Sequence, residues 1–412
     1  MKISSSLPAV LLVFSISLAG LARAAGRDNW TGAWVSAQQL VEDRNMPPAP
    51  GLEGQTLRQV VQPSIGGSRL RVTFSNAYGE KPLTITAASV ARSNGGPAID
   101  PASVCPLTFF GERAVTIQPG AAVISDPVAF AATAFENLAV STSLAAVPAR
   151  LTGHPGSRTT SFVAPGDMTA ATDLSGAAKT DHWYLLAAIE VWNPEPASAV
   201  VILGDSITDG RGSITNRNNR WPDDLARRLR AQPATARVAV LNQGIGGGRL
   251  LRNGLGPSAL ERFDRDVLAP PGVRWLVIFE GVNDIGTAKS ARARGEPGAT
   301  ARDIEAGLEQ MIVRAHAHGL KVYGATITPF QGFNMYFDEQ SEADRQEVNR
   351  WIRTGGKFDA VIDFDAIARD PKNPLALSPA VDGGDHLHPS AAGYEIMAAA
   401  VDLGLFEESD GR

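Results

Sequence analysis

The chain is poor in cysteine. Cys105 is the single one among 412 residues, so no intramolecular disulfide can form. A chain of this length can bury cores large enough to stand without such bridges. Basic runs and Arg-rich faces are also missing. The 38 basic and 43 acidic residues leave a formal charge of −5, and nucleic acid is not an expected partner. Cys and His nowhere recur at metal-ligand spacing, so no metal and no other cofactor is expected. After the first residues there is no apolar run of about twenty, so no membrane anchor is expected either.

What is present begins with a leader. Lys2 supplies a small positive charge, Leu7 to Leu21 is mostly apolar, and Ala22-Arg23-Ala24 offers an A-x-A cleavage site. Residues 1–24 therefore read as a signal peptide, with a buried N-terminal helix as the alternative. The mature protein is expected to be secreted or periplasmic.

The remainder divides by periodicity into a β-rich part, 25–195, and an α/β part, 196–412. In the first, Leu70, Val72 and Phe74 alternate with Arg71 and Thr73, the period of a half-buried strand. Asn76-Ala77-Tyr78-Gly79 reads as a turn before another alternating run, Leu83 to Thr86. Further strands are expected at Leu107 to Phe110, Val115 to Ile117, Leu138 to Leu144 and Tyr184 to Val191. Many short strands between Gly, Pro, Asn and Asp clusters suggest a β-sandwich or jelly roll. Trp30, Trp34 and Tyr78 are either core residues or a carbohydrate-binding surface.

After Asn193-Pro194-Glu195-Pro196 the pattern changes. Ala199 to Leu203 is continuously apolar, as for a strand buried on both faces. A helix is expected over Trp221 to Leu229, and strands over Val238 to Leu241 and Trp275 to Phe279. Thr300 to His318 reads as a helix opened by a Thr300/Asp303 capping box. A strand (Lys321 to Ile327), a helix (Glu342 to Arg353) and a strand (Ala360 to Asp363) follow. Such alternation predicts a layered parallel-sheet domain, with ligands beyond the carboxyl ends of its strands.

Four segments at those ends carry candidate chemistry. Gly204-Asp205-Ser206 follows the first strand; Ser206 is a nucleophile if a base stands near, and otherwise a helix cap. Gly244-Ile245-Gly246-Gly247-Gly248 follows the next strand. Its glycines let backbone N–H groups approach an oxyanion, but the segment fails the dinucleotide pattern G-x-G-x-x-G at Arg249. Gly281-Val282-Asn283-Asp284 offers an amide donor or a cap. Asp385-His386-Leu387-His388-Pro389 offers a carboxylate and two histidines that compete for the base role. A metal site would need more ligands than this segment has. His154, His182, His316 and His318 read as structural.

Together, in this order, the four segments resemble the SGNH, or GDSL-type, hydrolase family over roughly Val200 to Leu403. The resemblance implies a three-layer α/β hydrolase domain that cleaves carboxylic esters. It implies Ser206 as nucleophile, His388 as base, Asp385 as its orienting carboxylate, and the Ser206 and Gly247 N–H groups with the Asn283 side chain as oxyanion hole. Gly248 stands where relatives often have a polar residue, which leaves Gly246 as the alternative to Gly247. In the first part, Leu57 to Val61, Arg69 to Asn76 and Ser125 to Val128 resemble the β-rich leader of a secreted bacterial subgroup that includes xylanase-associated esterases and GDSL-like lipases. Asn219-Arg220-Trp221-Pro222 belongs to the same resemblance. It implies a small-molecule or polysaccharide ester as substrate, with acyl transfer on the same residues or a broad lipase or arylesterase activity as alternatives.

Overall fold

The computed structural model describes residues 29–407. The expected leader at 1–24 lies outside them. Among the described residues, no helix is long and apolar enough to cross a membrane.

Residues 30–192 are β-rich, with only short 3₁₀ turns between strands. One antiparallel sheet has the order Trp30–Val35, Leu186–Trp192, Arg69–Ser75, Ala122–Ile124. A second is built around Leu138–Ala146, held between Gln55–Val61 and Leu83–Gly95. Leu70, Val72 and Phe74 are fully buried, whereas Arg71 and Thr73 are only partly so, as the alternation predicts. Leu107 ends a shorter strand, Cys105–Leu107, because the chain then turns at Phe110 in the left-handed region.

Trp30 and Trp34 are buried. Trp34 meets Trp183 edge-on with centroids 4.9 Å apart, and the Tyr78 hydroxyl accepts from Arg265 at 3.0 Å. Trp30 and Trp34 are thus core residues, whereas Tyr78 is partly exposed.

Residues 198–407 form a mixed α/β part around a five-stranded parallel sheet. Ser198–Gly204 lies between Val238–Gly244 and Val273–Phe279, and Lys321–Ala325 and Ala360–Ile362 continue the sheet outward. Every residue of Ser198–Gly204 is buried. Val200 and Ile202 pack with Trp221, Leu225, Tyr394 and Met397 on one face. Val201 and Leu203 face Phe263, Ile304, Leu308 and Met311 on the other. The capping box is present: Thr300 accepts from the Asp303 N–H at 3.2 Å, and Asp303 accepts from the Thr300 N–H at 2.9 Å. Connections leave Ser198–Gly204 toward opposite sides, so its carboxyl end is the crevice where ligands bind in such sheets.

Val238–Gly244 is an edge strand, and the β-rich part covers it. Ser64 Oγ donates to the Val240 carbonyl at 3.2 Å and accepts from its N–H at 2.9 Å. The Gly32 N–H donates to Pro271 O at 3.0 Å. One apolar core runs from Leu57, Val72 and Val140 through to Leu203, Leu241 and Leu276. An open edge would invite pairing with another chain; here the first part of the chain closes it.

Beneath the carboxyl ends of the strands, Arg262 is wholly buried. It donates to Gly204 O (3.0 Å), Gln243 O (2.6 Å), Asp266 (3.0 Å) and Glu280 (3.2 Å). It therefore ties the first two strands to each other and balances buried acid. Removing one partner of such a cluster leaves uncompensated polar groups in low dielectric. Arg262→Met is expected to lose about 3 kcal/mol of stability, read as a lower urea midpoint; an unchanged midpoint would show that the cluster is not structural.

Candidate active site

The nucleophile candidate stands at the first strand's exit. Asp205 caps a four-residue helix, Ser206–Asp209, by accepting from the Ile207 N–H at 2.9 Å. Gly244 on the neighbouring strand lets that helix lie against the sheet: a Cβ there would come within 2.7 Å of Asp209 Cα. Ser206 is buried but reaches a cleft of about 380 Å³.

His388 arrives from the far end of the chain. Its Nε2 lies 2.8 Å from Ser206 Oγ. Its Nδ1 lies 2.7 Å from Asp385 Oδ2, and Asp385 Oδ1 accepts from the Leu387 and His388 N–H groups at 3.0 and 2.8 Å. With Nδ1–H bonded to the carboxylate, Nε2 is the free acceptor for the serine proton. Burial lowers the His388 pKa; Asp385 pulls it back up, and Arg211 and Arg158 push it down, so the ring is held neutral. Burial also pulls the Asp385 carboxyl upward, but its bonds to the His388 N–H, the His388 ring and the Leu387 N–H outweigh that, and it stays ionised. His386 is exposed and bound to Asp382 at 2.6 Å. It makes no contact with Ser206, so geometry brings only His388 to the serine.

Asn283 is buried at the start of the helix Val282–Ala293. Its amide donates to Gly248 O at 2.7 Å, and its Oδ1 accepts from the Tyr336 hydroxyl at 2.8 Å. Both bonds fix the amide, and Asn283 lines the cleft. Gly247 has φ +69°, a conformation suited to glycine. The Gly248 N–H donates to Ile245 O at 2.9 Å and is thereby spent. Gly246 and Gly247 both line the cleft, and among the described residues nothing accepts from the Gly247 N–H. Asp284 faces the other way and accepts from the Leu250 and Leu251 N–H groups at 2.7 and 3.1 Å, which ties the Gly-rich loop to this helix.

Behind Ser206 lie acids that burial holds partly protonated. Burial lifts Asp205 to about 7. It raises Glu280 well above the carboxylate range, with Asp205 adding to the effect. Among the described residues, no group of three or more His, Cys, Asp or Glu side chains is arranged to hold a metal ion.

Four residues near the serine escaped the sequence reading of the site. Tyr336 lies in an irregular stretch without periodicity. Arg158 and His154 come from the β-rich part, and Arg220 was noted only as part of a motif. His154 is buried, with Nδ1 2.8 Å from Ala37 O and Nε2 2.9 Å from Asp209 Oδ1. A carbonyl can only accept, so Nδ1 carries a hydrogen. The ring stacks on Trp183 at 5.8 Å. Arg220 donates to Asp209 O at 3.1 Å and to Ser157 O, joining the serine turn to the β-rich part again.

With this geometry in hand, similarity to known proteins can be stated. Residues 202–396 match the model of the GDSL-like lipase/acylhydrolase family. This part of the chain belongs to that family. It is a carboxylic ester hydrolase domain. Solved structures similar to the chain include a GDSL-like lipase from Bacteroides thetaiotaomicron, at 21% identity over 49% of this chain and 85% of that one, with a TM-score of 0.37. A lipase/acylhydrolase from Enterococcus faecalis is 22% identical over 49% of this chain and 92% of that one, with a TM-score of 0.37. A catalytic mutant of an acetylxylan esterase from Geobacillus stearothermophilus is 20% identical over 50% of this chain and 93% of that one, also with a TM-score of 0.37. No curated protein matches the chain.

The GDSL domain is thus joined to the β-rich part at its own serine turn. His154→Phe keeps the ring's bulk but leaves the buried Asp209 carboxylate without its partner, a loss of about 3 kcal/mol. A thermal scan should show a lower Tm and a p-nitrophenyl acetate assay a lower kcat. Wild-type values for both would show that the junction is not needed.

Proposed function

We propose that Ser206, His388 and Asp385 form the catalytic triad of a secreted or periplasmic ester hydrolase, with the Ser206 and Gly247 N–H groups and the Asn283 amide as its oxyanion hole. The observation that carries this reading is the 2.8 Å contact between Ser206 Oγ and His388 Nε2, backed by Asp385 at 2.7 Å. A serine hydroxyl is a weak nucleophile until a base accepts its proton.

The reaction then runs in two balanced halves. Ser206 Oγ bonds to the ester carbonyl carbon as its proton passes to His388 Nε2. The carbonyl oxygen becomes an oxyanion, which accepts hydrogen bonds from the Ser206 and Gly247 N–H groups and from Asn283. Collapse breaks the bond to the leaving oxygen, which takes the proton from His388. Water attacks the acyl-enzyme by the same route, and its proton returns through His388 as the acid and free Ser206 are released. Asp385 holds the ring's tautomer and stabilises its charged form. Tyr336 keeps the Asn283 amide oriented.

We read the substrate as a carbohydrate or small acyl ester. The walls of the cleft include the polar side chains of Gln39, Asn45 and Tyr336. We also read the chain as a leader (1–24), a sandwich-like part (25–195) and the hydrolase (196–412). The two antiparallel sheets sharing one core support the second of these.

Ser206→Ala is expected to abolish p-nitrophenyl acetate hydrolysis with an unchanged far-UV spectrum, and Asn283→Ala to lower kcat about 10²–10³-fold. Turnover that survives in the serine variant would remove Ser206 from the role. The lowered His388 pKa sets the pH dependence. The base is active when neutral, so kcat/KM should fall as pH drops through a midpoint below about 6.5 and stay level above pH 7. A midpoint above 7 would contradict it.

A further inference from the structure

Several partly buried arginines of this protein pair with carboxylates. Arg71 meets Glu190, Arg265 meets Asp266, Arg345 meets Glu342 and Asp365, and Arg353 meets Asp363. The cleft around Ser206 holds three arginines that do not, Arg158 half-buried and Arg44 and Arg211 exposed. Arg44, Arg158 and Arg211 all line it, and among the described residues none of the three side chains meets a carboxylate. Arg158 is half-buried, and its Nε is shielded from solvent without a hydrogen-bond acceptor. An unsatisfied buried donor of this kind costs stability. The cleft's own acids do not offset it. Asp209 is engaged with His154, and Glu42, which accepts from Asn45 at 2.7 Å, is not within ion-pair distance of any of the three.

The positions of two of these arginines are set by the site itself. The Arg211 N–H donates to Ser206 O at 2.9 Å, and its carbonyl accepts from Tyr394 at 2.6 Å. Tyr394 is on the helix Ala391–Ala399 that directly follows His388-Pro389-Ser390. Arg158 has φ +52°; its neighbour Ser157 accepts from Arg220, and its own carbonyl accepts from the Asn216 N–H at 2.9 Å. Both cations act electrostatically on His388. Geometry puts them on the histidine side of the serine: a Cβ on Gly212, next to Arg211, would run into Pro389 O, which follows His388, and Arg158 is held to the same loop through Asn216. In the two-step reaction the leaving oxygen must face His388 to take its proton, so this is the side of the leaving alcohol.

We infer that Arg158 and Arg211 form a carboxylate-binding site for the leaving alcohol, fitted to acyl esters of an acidic sugar unit, a uronate. Planar guanidinium forks match a carboxylate in geometry as well as charge. Such a group would satisfy the Arg158 donor and screen the two cations from each other. The inference rests on the ester-hydrolase reading of Ser206 and names the substrate class for it.

The test compares an O-acetylated galacturonic acid oligosaccharide with the same compound after its carboxylates are converted to neutral amides. The wild-type protein should favour the acid about tenfold in kcat/KM, mainly through KM, and the preference should shrink in 0.5 M NaCl. Arg158→Gln and Arg211→Gln should each reduce the ratio, and Arg211→Lys should keep part of it. Arg211 is exposed, so its variants test the idea even if Arg158→Gln folds poorly. Equal rates on acid and amide, or a ratio that survives in the double variant, would overturn the inference. A second arm compares p-nitrophenyl hemisuccinate with p-nitrophenyl butyrate. A preference for the hemisuccinate alone would put the cations on the acyl side and overturn their assignment to the alcohol. p-Nitrophenyl acetate separates the two failures. If the wild type hydrolyses it without discriminating acid from amide, only the uronate site falls. If it hydrolyses no ester, the reading of Ser206 falls and the site with it.

Discussion

Asp209 places a carboxyl group that is 4% exposed three residues past Ser206, and the side chain that meets it comes from outside the GDSL domain. Its partner is His154, from a strand of the β-rich part, and that ring is held in turn by Ala37 O and Trp183. A buried charge needs a partner with good geometry. Meeting that need pins the strand Thr152–His154, the serine turn and Arg220 into one unit. The position of Ser206 thus depends on chain folded more than fifty residues earlier.

The same logic shapes the floor of the site. Arg262 satisfies two strand-end carbonyls and two carboxylates where the parallel strands stop. Asp205 and Glu280 lie close by, and burial raises both toward their neutral forms. The low dielectric that makes these groups costly also strengthens hydrogen bonds aimed at charge developing in the cleft. The β-rich part adds to this by closing the sheet edge at Val240 and walling one side of the cleft. It is therefore better described as part of the enzyme's core than as an appended module.

Much of this could be read from residue order. The parallel strands announce themselves by apolar runs such as Ala199 to Leu203, because burial on both faces leaves no polar position. The Thr300/Asp303 box marks a helix start because its two hydrogen bonds are local. The turn that joins Asp385 to His388 is equally local. The helix Val282–Ala293 was not visible, since the side it buries includes Asn283, Asp284 and Gly286 and shows no apolar stripe. Trp30–Val35 is buried along its whole length, yet it contains Thr31 and Gly32 and does not alternate. Its burial comes from the parallel sheet packed against it, which no local pattern encodes.

By itself the sequence determined the alternation of strands and helices, the order of the Ser, Gly, Asn and His segments, and the family they point to. These depend on local periodicity and short spacings. The family resemblance pointed to His388 rather than His386, and the tertiary structure added the contact itself, the His388 ring lying against a serine 182 residues away. It also showed that the Gly248 N–H is already spent, that Tyr336 holds Asn283, and that His154 and Arg158 reach the site from the other part of the chain. Apart from the local turn at Gly248, each of these is a long-range contact between polar groups, made where burial leaves a donor or a charge in need of a partner, and adjacent residues carry no trace of it.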